Sequence, residues 1–217
     1  VRTVNVGGNP GGYNGLITSG YPTTVPDGIA FSPNSSYAYV SNSNGNITVV
    51  NVITGLVLKQ ILVINEGYFS INGLAISNNG TYLYVLVNRF DGSIDYGSHL
   101  SVINTNTFSI LYNISTDYEP ESIALGNNGN IAYVTSGYND TVDVINLNSK
   151  TLVNKFLLPK FLSPIGLSFS PDYQIIIMET LQLQEILFQF LFNGSKLSTE
   201  YLLKKQDSLR ESSGLLN

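Results

Sequence analysis

The sequence predicts an all-β fold of four-stranded antiparallel blades arranged as a β-propeller, with about four blades in this chain. The first observation is a repeat, because equivalent positions at Gly28, Gly73, Ser122 and Gly166 lie 45, 49 and 44 residues apart. The second is that each repeat holds short runs of aromatic and β-branched residues between turn residues. A period of roughly 40 to 50 residues with four short strands is typical of a propeller blade.

Residues 26–62 form the first complete blade. Its apolar and aromatic runs predict four strands, at Gly28–Ser32, Tyr37–Val40, Ile47–Val52 and Val57–Ile61. The first two strands are joined by Pro33-Asn34-Ser35, residue types that favour turns. Residues 71–114 and 120–158 repeat the same order of strands and turns, so they predict a second and a third blade.

The two ends of the chain fit the pattern less closely. Residues 164–203 are interpreted as a divergent fourth blade, with later strands at Gln174–Glu179, Glu185–Phe192 and Lys196–Leu203. A short amphipathic helix over Leu181–Phe192 is the alternative. Residues 1–25 are interpreted as the end of a preceding blade followed by an inserted loop, and residues 204–217 as a polar tail.

The composition excludes several classes of function. The net charge is −5 and the sequence pI is about 4.7, which argues against a nucleic-acid binder that must neutralise phosphates. There is no cysteine, so disulfides, thiolate metal sites and cysteine nucleophiles are excluded. No apolar run approaches the ~18 residues that a transmembrane helix needs, so we expect no transmembrane segment.

The repeat contains a motif that is specific for one family. Pro26-Asp-Gly-Ile-Ala-Phe-Ser-Pro-Asn34 is followed by Tyr39-Val40-Ser41-Asn42, and the third blade carries Tyr133-Val134-Thr135-Ser136 in register. This pattern resembles the YVTN β-propeller repeat over about residues 1 to 172. The family is associated with archaeal and bacterial surface-layer and secreted proteins, and with lactonase-like propellers.

The resemblance implies an extracellular, archaeal surface or binding protein, and the sequons described below would then carry N-linked glycans. We expect a non-enzymatic scaffold for surface assembly, adhesion or protein binding, whose partners are other surface proteins or copies of itself. A secreted lactonase-like hydrolase with calcium in its axial channel is one alternative. A carbohydrate-binding module is another, and exposed tyrosine pairs on one face would support it.

The number of blades bears on how the ring closes. Members of the family usually close with about seven blades, more than this chain supplies. We expect a chain cropped from a larger ring; a small four-bladed ring and closure with another subunit are the alternatives. If the ring stays open, its exposed blade faces need a partner.

The mouth of the axial channel is the usual ligand position in a propeller, and one residue at the start of each first strand faces it. These residues are Asp27, Asn72, Glu121 and Ile165. Three oxygen-bearing side chains that converge could hold a hard cation such as Ca²⁺, as the hydrolase alternative requires. The apolar Ile165 interrupts the ring, and turn capping is the simpler role, so we expect no cofactor, with calcium the one candidate.

The loop Asn88–His99 of the second blade is longer than its equivalents, which makes it a candidate binding loop. Its candidate contact residues are Arg89, Asp91, Asp95, Tyr96 and His99. A plain surface insertion is the alternative. Because His99 is the only histidine and no Gly-x-Ser-x-Gly elbow occurs, the sequence predicts no catalytic residues.

Six Asn-x-Ser/Thr sequons are candidate sites for N-linked glycans: Asn34, Asn46, Asn79, Asn113, Asn139 and Asn193. Most lie in predicted turns or loops, where a glycan could be attached; Asn-rich turn chemistry is the alternative. Several tyrosines recur at second-strand positions, which favours packing between blades over sugar binding. They are Tyr37, Tyr39, Tyr82, Tyr84 and Tyr133.

Overall fold

The computed structural model describes residues 3, 4, 6, 26–64, 69–89, 97–126, 128–158, 160 and 162–169 in full, and residues 175–180, 188–193 and 196–199 by their backbone. These residues form sixteen β-strands, and no helix occurs among them. The strands make four antiparallel four-stranded sheets, each a meander in which sequence neighbours are hydrogen-bonded neighbours. The predicted all-β class with four-stranded antiparallel sheets is confirmed. Within the same ranges, no helix is long and apolar enough to cross a membrane.

The sheets follow one another in the chain. Sheet 1 consists of β1 Pro26–Phe31, β2 Tyr37–Asn42, β3 Asn46–Asn51 and β4 Val57–Leu62. Sheet 2 consists of β5 Phe69–Ile76, β6 Tyr82–Arg89, β7 His99–Asn104 and β8 Ser109–Ser115. Sheet 3 consists of β9 Pro120–Leu125, β10 Ile131–Ser136, β11 Thr141–Asn146 and β12 Thr151–Leu157. Sheet 4 consists of β13 Pro164–Phe169, β14 Ile175–Thr180, β15 Phe188–Asn193 and β16 Lys196–Thr199.

The strand bounds differ from the predicted ones in several places. Strand β1 starts at Pro26 rather than Gly28, because Pro26 already pairs with Asn42 on the far side of a bulge. Strand β3 lies one residue earlier than Ile47–Val52. The helix alternative is wrong over Phe188–Phe192, since these residues lie in β15.

The predictions for the two ends of the chain are only partly covered. The loop predicted as an insertion over residues 11–24 and the polar tail over 204–217 fall outside the described residues. Val6 is described, and its carbonyl oxygen accepts a hydrogen bond from Thr48 Oγ1 at 3.0 Å. The segment before sheet 1 therefore touches that sheet.

Successive sheets are stacked in sequence order through their first strands. Strand β1 packs against β5, β5 against β9, and β9 against β13. Between sheets 1 and 2 lies a buried apolar core that includes Ile47, Val49, Leu83 and Val85. A second core lies between sheets 2 and 3, and a third between sheets 3 and 4. This stacking gives a propeller-like architecture.

Strand β6 shows why the second strands have continuous apolar runs. All residues of Leu83–Asn88 are buried. Successive side chains of a strand point to opposite faces, and here Leu83 and Val85 enter the core with sheet 1, whereas Tyr84 and Leu86 enter the core with sheet 3. Full burial of an apolar side chain of this size contributes about 1.5–3 kcal/mol. Because both faces are covered, the sequence shows no alternation of polar and apolar residues.

A β-bulge recurs near the start of the first strand in sheets 1, 2 and 3, where two residues stand opposite one residue of the second strand. The bulged pairs are Asp27–Gly28, Asn72–Gly73 and Glu121–Ser122. In sheet 1 the Gly28 N–H donates to the Ser41 hydroxyl at 2.7 Å. In sheet 3 the Ser122 N–H donates to Thr135 Oγ1 at 3.0 Å. The bulge leaves one backbone N–H without its partner on the neighbouring strand. The hydroxyl of the Ser or Thr in the Tyr-Val-Ser/Thr motif accepts the hydrogen bond from that N–H.

Neighbouring first strands lie too close together for a side chain at the bulge glycines. A Cβ atom added at Gly28 would lie 2.9 Å from the carbonyl oxygen of Asn72. One added at Gly73 would lie 3.0 Å from the carbonyl oxygen of Glu121 and 3.1 Å from Ser122 Cα. Backbone atoms cannot rotate away as a flexible side chain can, so the contact between these sheets requires glycine.

We predict that Gly73→Ala lowers the free energy of unfolding by about 1–3 kcal/mol, because the added methyl group overpacks the contact between sheets 2 and 3. Urea or thermal unfolding measures the change. Gly126→Ala is the matched control, since the atom nearest to a Cβ there lies at 3.6 Å, an ordinary contact distance. Equal losses of stability in the two variants would contradict the packing argument.

Candidate functional site

The three residues predicted at the channel mouth lie in the bulges of the neighbouring strands β1, β5 and β9. The Asn72 side-chain nitrogen donates to the Pro120 carbonyl oxygen at 2.9 Å and to Glu121 Oε2 at 3.0 Å. The Ser41 hydroxyl donates to the Asn72 carbonyl oxygen at 3.3 Å. The buried Asn72 therefore connects sheets 1, 2 and 3 at their inner ends.

Glu121 is the centre of a group of carboxylates. Burial, followed by the nearby negative charges of Glu119 and Asp27, raises its pKa to about 7. Burial also raises the pKa of Asp27 above its ordinary value. The structure thus brings Asp27, Asn72 and Glu121 together and adds Glu119, which the sequence analysis did not single out. Glu119 precedes β9 and has a positive φ of 57°, so the alternation of side chains along a strand could not have placed it beside Glu121.

This arrangement differs from a preformed cation site. Asn72 turns its nitrogen toward Glu121, and the contact with Pro120 fixes that orientation because a carbonyl oxygen accepts only from a donor. Ile165, the apolar member of the predicted ring, lies on β13 of sheet 4. In the described ranges, no group of three or more His, Asp or Glu residues is placed to hold a metal ion. Calcium binding by Asp27, Asn72 and Glu121 stays a prediction.

The candidate binding loop is described only at its two ends. Arg89 is the last residue of β6, and its N–H donates to the Ser98 hydroxyl at 3.1 Å. His99 begins β7, and its Nδ1 lies 2.8 Å from the Gly97 carbonyl oxygen. The guanidinium Nε of Arg89 is buried and has no hydrogen-bond partner among the described residues. The other candidates, Asp91, Asp95 and Tyr96, lie outside the described residues, so a shared contact surface stays a prediction.

The sequon asparagines are mostly exposed. Four of them have exposed side chains: Asn34, Asn79, Asn113 and Asn139. Asn46 is half-buried, and nothing is described of the side chain of Asn193. Asn34 Oδ1 accepts the Ser36 N–H at 3.1 Å and Asn79 Oδ1 accepts the Thr81 N–H at 3.0 Å, as asparagine does in turns. These contacts explain the asparagines as turn residues, and glycan attachment stays a prediction.

A buried carboxylate that the sequence analysis missed lies on β11. Asp143 is fully buried, and its Oδ2 accepts the Asp117 N–H at 2.8 Å. Burial raises the pKa of Asp143 to about 6. Thr141 Oγ1 donates to Asp117 Oδ2 at 3.1 Å, and Lys155 forms an ion pair with the same oxygen. This network holds the connection between sheets 2 and 3, which is a structural role.

Sheet 1 has an apolar face that the rest of the described chain leaves open. Ile29 is 57% exposed and Phe31 is 51% exposed. Their equivalents in sheet 3 are Ile123, which is buried, and Leu125, which packs against the core between sheets 2 and 3. We call the surface around Ile29 and Phe31 the open face of sheet 1. The sequence analysis foresaw exposed blade faces in an open ring but not which residues would form them.

A cleft of about 380 Å³ lies between sheets 2 and 3, and we call it the tyrosine cleft. Sheet 2 lines it with Tyr82, Tyr84 and Tyr112. Sheet 3 lines it with turn residues that include Asn128–Asn130 and Asn148. Tyr82 and Tyr84 were assigned to packing from the sequence, and Tyr84 is indeed 4% exposed. The feature of the sequence that could have indicated the cleft is Tyr112 on the fourth strand, because the equivalent residues in sheets 1 and 3 are not tyrosines.

Comparison with known proteins supports the fold of this chain and does not indicate its function. No protein-family model matches the chain, and no curated protein matches it in sequence. The hydrazine synthase of Kuenenia stuttgartiensis is similar in structure, with 19% identity, a TM-score of 0.66, and coverage of 86% of this chain and 53% of that chain. U3-55K is also similar, with 15% identity, a TM-score of 0.62, and coverage of 82% of this chain and 52% of that chain.

Both neighbours are β-propeller-like, which agrees with the stacked sheets of this chain. At these identities the likeness concerns the fold alone. This chain spans about half the length of either neighbour.

We predict that Glu121→Gln increases stability relative to the wild type, and increases it more as the pH rises from about 4.5 to about 7. The folded protein holds a proton on Glu121 up to about pH 7, whereas the ordinary pKa is 4.5. The proton bound to Glu121 in the folded state adds to the free energy of unfolding. This contribution is full below pH 4.5 and is lost as the pH rises from 4.5 through 7. The neutral glutamine avoids that loss. Melting temperatures of both proteins across this range measure the difference.

Glu119→Gln provides a second arm of the same experiment. Removing this neighbouring charge lowers the pKa of Glu121 in the folded protein, so the loss of stability should be smaller than in the wild type and should end at a lower pH. Asp143 titrates in both proteins and cancels from the comparison. A difference between Glu121→Gln and wild type that stays constant with pH would contradict the assignment.

Proposed function

We propose that this chain is a non-enzymatic, propeller-type scaffold of a cell surface, and that it assembles through the open face of sheet 1. The single observation that carries this proposal is the exposure of Ile29 and Phe31 on the first strand of sheet 1. Large apolar side chains exposed side by side on a sheet mark an interaction surface rather than a solvated one. The surface location rests on the resemblance to the YVTN repeat, and the glycan cover rests on the six sequons.

The repeat itself indicates what covers the open face. At the equivalent place in sheet 3, Ile123 and Leu125 are covered by Tyr84, Leu86 and neighbouring apolar residues of sheet 2. Sheet 2 is covered in the same way by sheet 1. The occupant that fits the open face is therefore another sheet of the same repeat, which presents the apolar side that each sheet turns toward its successor.

A second copy of this chain provides such a sheet. Each copy ends its described part in sheet 4, which follows sheet 3 as sheet 2 follows sheet 1. Two copies related by a two-fold axis that runs across the stacking direction, through the centre of the ring, would place sheet 4 of each copy against sheet 1 of the other, which closes the assembly. One chain spans about half the length of either propeller-like neighbour, so two copies together match the length of one such neighbour.

We predict that the wild-type chain forms a dimer and that the double variant Ile29→Ser/Phe31→Ser weakens the dimer by about a hundredfold or more. The two substitutions remove apolar contacts worth about 3 kcal/mol or more when buried. Size-exclusion chromatography with light scattering over a dilution series measures the dissociation constant. Circular dichroism checks that the variant keeps its β-structure, as expected for residues that are already exposed.

Leu157→Ser is the matched control, because Leu157 is 80% exposed but lies on β12 of sheet 3, away from the open face. It should leave the dimer unchanged. A wild-type chain that is monomeric at every concentration would overturn self-assembly through this face. Equal weakening by Leu157→Ser would show that association is a general effect of exposed apolar residues rather than a property of the open face.

A further inference from the structure

The tyrosine cleft lies at the opposite end of the strands from the acidic group. Glu121 is near the start of β9, whereas the turn Asn128–Asn130 that lines the cleft follows the end of the same strand. The cleft is also separate from the open face of sheet 1, since sheets 2 and 3 form its walls. The proposed scaffold function and the carboxylates around Glu121 therefore do not account for the residues that line the cleft.

The aromatic wall of the cleft is a departure from the repeat. Tyr84 pairs with Val102, and Val102 pairs with Tyr112 on the next strand, so the two tyrosines stand in one cross-strand row. The equivalents of Tyr112 are Lys59 in sheet 1 and Asn154 in sheet 3. Of these three sheets, only sheet 2 places a third tyrosine beside the two of its second strand.

The hydroxyl of Tyr84 lacks the partner that the repeat supplies elsewhere. Between sheets 1 and 2, the Tyr39 hydroxyl forms a side-chain hydrogen bond with Thr105. The equivalent of Thr105 in sheet 3 is Leu147, which lines the cleft opposite Tyr84 and offers no hydrogen-bonding group. Among the described residues, Leu147 therefore leaves the Tyr84 hydroxyl without the partner that Thr105 gives to Tyr39.

The rings are held in place by contacts between the two walls. Lys150, in the turn after β11, places its Nζ 4.0 Å from the centroid of the Tyr112 ring. This cation–π contact covers one face of Tyr112 and ties sheet 3 to sheet 2. Tyr82 is 36% exposed, so its ring is the aromatic surface that remains accessible at the entrance.

The lining is polar but uncharged. It consists of tyrosine, asparagine, serine, glycine and leucine side chains, with no Asp, Glu, Lys or Arg. Burial raises the pKa of Tyr84 to about 12 and also raises that of Tyr112, so these hydroxyls keep their protons at physiological pH. Amides and hydroxyls both donate and accept hydrogen bonds, whereas an anionic ligand would find only Lys150 beside the lining, and its Nζ already lies against the Tyr112 ring.

We propose that the tyrosine cleft binds a neutral oligosaccharide. A sugar ring has an apolar face that can stack on Tyr82 and hydroxyls at its rim that can bond to the Tyr84 hydroxyl and to the amides of Asn128 and Asn148. A cleft of about 380 Å³ accommodates one or two sugar units, with the rest of the chain leaving through its open side. The partner that fits this cleft is a surface or matrix glycan, bound separately from the protein contact on sheet 1.

The test is a titration of the full chain with neutral hexasaccharides of β-1,4-glucose, β-1,4-mannose and β-1,4-N-acetylglucosamine, with hexagalacturonate as the charged comparison. Calorimetry measures the dissociation constant, and tyrosine fluorescence, which no tryptophan obscures, gives a second signal that the variants below assign to the cleft. Producing the protein in a host without N-glycosylation keeps Asn79, at the edge of the cleft, free of attached sugar. We expect at least one neutral sugar to bind and hexagalacturonate to bind more weakly or not at all.

Two variants locate the binding. Tyr82→Ala should weaken it by about tenfold or more, because stacking is lost. Tyr37→Ala is the matched control, since Tyr37 occupies the equivalent position in sheet 1 and is 37% exposed, and it should leave binding unchanged. Asn148→Ala should also weaken binding without unfolding the chain, because the side chain of Asn148 is exposed.

Several outcomes would overturn the proposal. One is that no sugar of the panel binds the wild-type chain. Another is that Tyr37→Ala weakens binding as much as Tyr82→Ala, which would place the sugar elsewhere. Preference for hexagalacturonate would exclude a neutral ligand. Dimerisation measured on the same samples separates these outcomes from failure of the scaffold proposal.

Discussion

The close contact between the first strands of neighbouring sheets is the constraint on which this structure depends. At Gly73, the backbone of sheet 3 comes within 3.0 Å of the place where a Cβ atom would stand. Sheets whose first strands are this close must diverge toward their fourth strands, because twisted sheets with side chains cannot stay equally close throughout. Burial follows this geometry, since β2, β3, β6 and β7 are almost wholly buried, whereas β4, β8 and β12 are largely exposed.

The same closeness dictates the chemistry at the inner ends of the strands. The bulges release backbone donors into a region with little room for water, so side chains of the neighbouring strand must satisfy them. Ser41 and Thr135 do this within their own sheets, and between sheets the Asn72 amide donates to a backbone acceptor, the Pro120 carbonyl oxygen. Carboxylates placed in the same region are desolvated and repel one another, which is why the pKa of Glu121 rises to about 7.

The proposals for the open face of sheet 1 and for the tyrosine cleft both rest on positions where one sheet differs from its equivalents. Where the repeat is followed, each side chain has a packing or hydrogen-bonding role that its equivalents share. Phe31 keeps an apolar residue at a position where the covering sheet is missing from the described chain. Tyr112 and Leu147 replace residues of other types, and together they leave a cleft with a tyrosine hydroxyl at its base. A scaffold with one protein contact and one saccharide contact would join a surface assembly to the glycans around it.

The sequence by itself determined the all-β class, the order of the strands and most of their bounds, because these depend on local factors. Strand-forming residues and turn asparagines such as Asn34 and Asn79 act within a few positions of themselves. The tertiary structure alone decided that Asn72 donates to Glu121, that Ile29 is exposed, and that Tyr112 faces the turns of sheet 3. Each of these facts depends on which residues of different sheets meet. That pairing is set by the bulges and by the distance between backbones, which no pattern along one strand encodes.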